Sequence, residues 1–409
     1  MTFINVDNQV ESVQMPDTFA ALENTETAKA FIVSEGARLC ASIVGDKARA
    51  IILTGSLSRG EATLKRDGSR WRALGDATFL VVFDESINID TAKIELEIEN
   101  YLNSQGVQCK VVVVASTTLA LSKMKPHIYA YELRERGIVV WGDRSVLDLM
   151  SPFKAADIPI EDGWWFLCNR IIEQLETAAK ANQSHDTDAG VQYRIAKLYL
   201  SMAACYLLAI GQYEPSYQDR ARRLRELAAS SNPQPSPIPL QRFSLRVSEC
   251  TLLKMQGEIT GALGQFPQWH DAVSDAESLW RWTLSRMIGG KISNSRHDLL
   301  AIVAKGQPLL ARIKGWVRAA VMHPGMFYRN WFRWARLACG ASPRYLVYGA
   351  AGELFFSPQD SDELTPEQLS AIAAKLPLSH YKVGQKLSWP TLAMMIADNF
   401  HGLLESTRT

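Results

Sequence analysis

Four short apolar runs constrain the fold more than any other feature of the chain. They are Ile51-Ile52-Leu53, Phe79-Leu80-Val81-Val82-Phe83, Val111-Val112-Val113-Val114 and Ile138-Val139-Val140-Trp141. Each has strand length, is rich in β-branched or aromatic residues, and is bounded by turn residues or a helical pattern. Between them, 90–104 has helical spacing, with Asp90 as N-cap and Gly106 as terminator. Residues 18–44 and 117–136 read as helices too, Gly137 standing as a C′ glycine. The order helix-strand-turn-strand-helix-strand-helix-strand predicts an α/β sheet domain over residues 1–150. The valine run 107–115 reads as a strand buried on both faces.

Beyond residue 150 every long segment carries helical spacing. Residues 163–180, 189–210 and 217–229 form a helical bundle, assigned to 151–232. The segment 230–239, SSNPQPSPIP, excludes helix and central strand and reads as a linker. A C-terminal helical domain follows over 240–409, in which Thr365-Pro366-Glu367-Gln368 spells a capping box with proline at the first helical position. The fold class expected is therefore an α/β N-terminal domain, a mixed sheet with helices, followed by mostly α-helical domains.

Composition narrows the function classes. The 409 residues carry a net charge of +1, which argues against a whole-protein electrostatic footprint for nucleic acid. The first residues lack a basic and an apolar region of signal-peptide type, and the run 198–210 is too short to span a bilayer. Six scattered cysteines without a C-x-x-C pair suit buried thiols in a reducing compartment, so a cytoplasmic protein is expected. The seven histidines (His127, His185, His270, His297, His323, His380, His401) show no metal-ligand spacing. No Walker loop, G-x-S-x-G elbow or G-x-G-x-x-G occurs.

Chemistry concentrates where the first strand enters Thr54-Gly55-Ser56 and where Gly75-Asp76-Ala77-Thr78 opens the second. A glycine-serine turn at a helix start offers backbone N–H groups and a hydroxyl to an anion. Asp76 and Thr78 project to one face, because strand side chains repeat every two residues. Farther on, a helix over 127–136 leads to Val139-Val140-Trp141-Gly142-Asp143. Together these motifs resemble the DNA polymerase β-like nucleotidyltransferase superfamily. The stretch Tyr193–Tyr199 with Gly211–Tyr213 and Tyr217–Arg220 is similar to the helical bundle of its bacterial, kanamycin-nucleotidyltransferase-like members.

The resemblance implies nucleoside monophosphate transfer from a nucleoside triphosphate to a hydroxyl of a small molecule or polymer. Gly55 and Ser56 would hold the terminal phosphates, and Arg59, Lys197 and Arg220 would add phosphate contacts. Asp76 would be the catalytic carboxylate, binding Mg2+ together with Thr78. The chain departs from the pattern at two places. Thr78 stands where a second carboxylate belongs, and the valine-rich strand that supplies the third carries only Lys110. Asp84 has the right parity but lies about 26 Å along an extended strand from Asp76. A lysine at 110 suggests phosphate binding with an ammonium in the electrostatic place of a metal. Arg194 and Lys197 also fit a solvated basic edge of an amphipathic helix.

A second asymmetry lies in residues 299–352, which contain no aspartate or glutamate but eight lysines and arginines. On a helix over 326–337, Arg329, Arg333 and Arg336 share one face, and Phe327, Trp331 and Trp334 lie roughly opposite. Such a helix suits an anionic membrane surface or a polyanion, or else packs its aromatic face into the helical domain and leaves the arginines solvated or salt-bridged to acidic helices elsewhere. Two rival readings of the whole stay open. One is a catalytically inactive nucleotide-binding or regulatory pseudoenzyme; the other is a scaffold, peripheral at the membrane, for surface-polysaccharide assembly.

Overall fold

The computed structural model describes residues 24–181, 188–232, 234–256, 266–290, 296–357, 364–379 and 387–403. His185, His380 and the first residues of the expected helix 18–44 lie outside these. The chain divides into two compact units, Met1–Leu119 with Ile138–Val146, and Ala120–Gly137 with Leu147–Thr409.

The first unit is mixed α/β. Its elements are α1 (Thr25–Val44), β1 (Ala48–Thr54), α2 (Gly55–Ser58), β2 (Leu64–Asp67), β3 (Arg70–Phe83), α3 (Thr91–Ser104) and β4 (Val107–Thr117). After α4 (Thr118–Ser122) and α5 (Ile128–Arg136), β5 (Ile138–Gly142) returns to the sheet. β3 is the backbone of that sheet. Along one edge it pairs antiparallel with β2 at Arg70–Ala73 and with β1 at Thr78–Phe83, and β4 runs parallel to it on the other. β5 closes the far side of β1.

Alternation sends Ile51, Leu53, Ala77, Phe79, Val81, Val111 and Val113 to one face, where they pack with Ile32 and Cys40 of α1 and Ile94, Ile98 and Leu102 of α3. The opposite-parity Ile52, Leu80 and Val82 are buried as well. The expected N-cap is present: Asp90 accepts the Lys93 N–H at 3.1 Å.

β4 differs from expectation. It is an edge strand with alternating exposure, Gln108 and Lys110 outward and Val107, Cys109, Val111 and Val113 inward. Its outer N–H groups are covered by α3, since Glu99 accepts from Val111 and Glu95 from Val113, each at 2.8 Å. The expected helix 117–136 is broken between α4 and α5, around Pro126, whose ring restricts the preceding residue. Gly137 ends α5 in extended, not left-handed, geometry.

The second unit is helical: α6 (Ile160–Ala181), α7 (Asp188–Ala209), α8 (Tyr217–Ala229), α9 (Leu240–Gln256), α10 (Trp269–Met287), α11 (Arg296–Gly306), α12 (Leu309–Met322), α13 (Pro324–Gly340), α14 (Pro343–Phe355), α15 (Pro366–Ala373) and α16 (Trp389–Leu403). One apolar core runs from Trp164 to Leu403, so segments read separately as 151–232 and 240–409 share it. The proline-rich stretch joins α8 to α9 and buries Ile238. Asp275 sits at the heart of this unit, bonded by Arg242, Arg246 and the Tyr199 hydroxyl. The Thr365 capping box forms with Gln368 as expected. No helix among the described residues is long and apolar enough to cross a membrane.

Candidate functional site

Strand β1 ends at Thr54 and the chain turns at once through the four residues of α2. Gly55 has φ +77°, in the left-handed region that only glycine enters freely. Ser58 Oγ donates to the Gly55 carbonyl and the Glu61 N–H to that of Ser56, which braces the turn. The register Thr54↔Thr78 carries this turn to β3. A β-carbon on Gly55 would stand 3.8 Å from Thr78 Oγ1, and one on Gly75 would stand 3.7 Å from Ser56 Oγ. Gly55, Ser56, Gly75 and Thr78 therefore meet in space as the sequence motif implies.

The pairing of β3 with β4 is irregular between Arg72 and Asp76, where four residues of β3 span two of β4. Such bulges re-aim side chains. Here the outcome is that Asp76 comes opposite Lys110. Both are exposed, while their neighbours Ala77, Cys109 and Val111 are buried, so the carboxylate and the ammonium project from the same side. Among the described residues Ser56 Oγ, the Asp76 carboxylate and the Lys110 ammonium form no side-chain hydrogen bond or ion pair. Behind them burial pushes the Cys109 thiol up to about 12, with the Asp76 charge adding to the effect.

Other expected members are committed elsewhere. Arg59 forms a buried ion pair with Glu61, Nε to Oε2 at 3.0 Å, and this neutralises the charge assigned to phosphate. Lys197, in the second unit, pairs with Glu173 at 2.6 Å. Arg220 is almost fully buried, bonded to Glu132, the Tyr213 hydroxyl and two carbonyls, and holds the start of α8 to α5. Asp84 bonds Arg49 at 3.1 Å beyond the end of β3. The Gly142-Asp143 turn explains itself structurally. A β-carbon on Gly142 would lie 2.2 Å from the Arg49 carbonyl, and Asp143 grips the Arg49 guanidinium through Nε and Nη2.

Magnesium asks for several hard oxygen ligands in near-octahedral array. Asp76 and Thr78 offer one charged oxygen donor group and one neutral hydroxyl. Among the described residues no group of three or more His, Cys, Asp or Glu is placed to hold a metal ion. This donor set does not fit a two-ion centre. What the structure brings together is one exposed carboxylate and one exposed ammonium in register, beside the Gly55–Ser56 turn.

A cavity of about 580 Å3 lies wholly in the second unit and contains none of the expected site residues. His127, Asp162, Trp165, Arg170 and Arg344 line it. Asp162 accepts the Ile128 N–H at the start of α5 at 2.6 Å, and burial raises its carboxyl above the ordinary value. The Arg344 guanidinium sits 4.0 Å from the centre of the Trp165 ring. No motif signals this cavity, because its residues come from segments separated by more than two hundred positions. No known family model matches the chain, and no curated protein matches it in sequence.

Proposed function

We propose that the first unit is a nucleotide-binding module of the nucleotidyltransferase type. Gly55 and Ser56 receive the triphosphate, and Lys110 supplies the positive charge that a second magnesium ion would otherwise bring. The observation that carries this reading is the register partnership of Asp76 with Lys110 beside the Gly55–Ser56 turn. An ammonium next to the lone carboxylate opposes the approach of a dication and favours a polyanion. The N–H groups of the turn add directional donors for phosphate oxygens. On this reading the protein works in the cytoplasm, and any contact with a membrane is peripheral.

A second reading is favoured by the exposure of Asp76, which has no ion pair among the described residues. A nucleotide that arrives with its own magnesium would meet one protein carboxylate there, and slow transfer of a nucleoside monophosphate to an acceptor hydroxyl would follow. Pyrophosphate release from each nucleoside triphosphate in the presence of magnesium separates the two. The binding reading expects release at background from the wild type and from Asp76→Ala, and an increase from Thr78→Glu combined with Lys110→Asp, which restores the acids. Turnover by the wild type that disappears in Asp76→Ala would overturn it in favour of transfer.

A further inference from the structure

Among the described residues of the second unit, most of the large apolar side chains left exposed lie on α12 and α13. Leu310, Ile313, Val317 and Val321 recur at helical spacing along α12, and all four are exposed, Leu310 at 72% and Val321 at 75%. The same helix turns Trp316 and Ala319 inward, so the outward stripe is not the side by which α12 joins its unit. Trp316 donates to the Ala341 carbonyl at 2.9 Å and packs on Trp334, which donates to the Pro377 carbonyl at 3.0 Å. The inner side of both helices is thus already anchored.

Helix α13 leaves helical geometry at Asn330, and beside this kink Trp331 and Phe332 stack on each other, both exposed, with Tyr328 at 77% exposure. The expected division of α13 into a basic and an aromatic face is therefore only half met. Trp334 is buried while Trp331 faces outward, and Arg333 turns inward to the carbonyls of Ala374, Leu376 and Ser379. Lys314 and Arg318 stand exposed beside the stripe on α12, and Arg329 and Arg336 stand exposed beside the rings on α13. The segment 299–352 itself contains no acidic residue.

We infer that α12 and α13 form a docking surface for an anionic phospholipid bilayer. The apolar stripe and the Tyr328, Trp331 and Phe332 rings enter the headgroup boundary, and the flanking cations face the lipid phosphates. Charge complementarity selects this occupant: an apolar face alone suits any hydrophobic partner, but one flanked by exposed cations suits an anionic interface. The exposed aromatics belong to the residue types that settle at headgroup level. A bare polyanion would use the cations and leave the stripe in water.

Vesicle flotation of the full chain tests the inference, with phosphatidylcholine alone or mixed with phosphatidylserine. The expected result is co-flotation only with the serine lipid, weakened by high salt. Arg329→Ala with Arg336→Ala should lower partitioning about thirtyfold, each basic residue near the surface contributing roughly fivefold. Val317→Asp with Val321→Asp should abolish it while leaving circular dichroism and nucleotide binding unchanged, because both side chains are exposed. The inference is overturned by absence of flotation with the serine lipid. It is also overturned if RNA or heparin binds and the aspartate variant keeps that binding, or if the wild type is a dimer that the aspartate variant dissociates.

Discussion

Arg49 and Asp143 join the first and last strands of the sheet, and their pairing has a definite pH signature. The Ser145 hydroxyl and N–H, and then Arg49, hold the Asp143 carboxyl down to about 2 from an ordinary value of 3.8. A carboxyl with a lowered folded pKa stabilises above its unfolded value and loses that contribution as pH falls through the folded one. Acid unfolding of Asp143→Asn should therefore show a lower midpoint temperature than the wild type above about pH 4. The gap should close as pH falls towards 2. An unchanged gap at both ends would show that the Asp143 charge has no part in holding β5. The residue pattern Gly142-Asp143 was legible as a motif, but its meaning was not. Only the 2.2 Å approach of a β-carbon to the Arg49 carbonyl reveals a packing constraint. Arg59 is the opposite case: its position one turn after the glycine suggested phosphate, and only the fold brings Glu61 against it.

At the scale of elements, β4 shows how a sheet edge is closed without another strand. A parallel edge strand points alternate N–H groups at solvent or at a neighbouring chain. Glu95 and Glu99, one turn apart on α3, accept two of them. Glu95→Ala with Glu99→Ala leaves those donors without protein partners, at a cost of about 1–3 kcal/mol for each if water does not replace them. Urea unfolding should register the loss, and Glu→Gln at both positions, which keeps an acceptor oxygen, should recover most of it. Equal stabilities for the alanine and wild-type chains would refute the role. A run of valines cannot distinguish a central strand from an edge covered by a helix, because both bury most of their side chains. The β2–β3 hairpin was missed although Asp67-Gly68 lies at its turn, with Gly68 at φ +59°. That dipeptide is a hairpin signal, and the charged residues around it hid the strands.

For the whole molecule, short apolar runs alternating with helical segments before residue 150, and helical spacing alone after it, were sufficient to predict a mixed α/β region followed by a mostly helical one. Organisation inside the helical part was less legible, since four prolines between α8 and α9 look like a domain boundary although one core continues past them. Strand parity made legible that Asp76 and Thr78 share a face, and the turn that Gly55 needs glycine, whereas the pairing of Lys110 with Asp76 depends on the β3–β4 irregularity, which spacing does not reveal. Lys197 and Arg220 were chosen by position in a pattern, and their ion pairs with Glu173 and Glu132 depend on tertiary contacts that spacing cannot reveal.

The central claim is that Lys110 binds phosphate without help from a metal ion. Titration calorimetry of the wild type and Lys110→Ala with nucleoside triphosphate, in magnesium and again in chelator, tests it most directly. The account predicts similar wild-type affinity in both buffers. It also predicts about a tenfold to hundredfold loss in Lys110→Ala, as expected for one charge-assisted bond. Binding that vanishes in chelator, or that is untouched by Lys110→Ala, would contradict it.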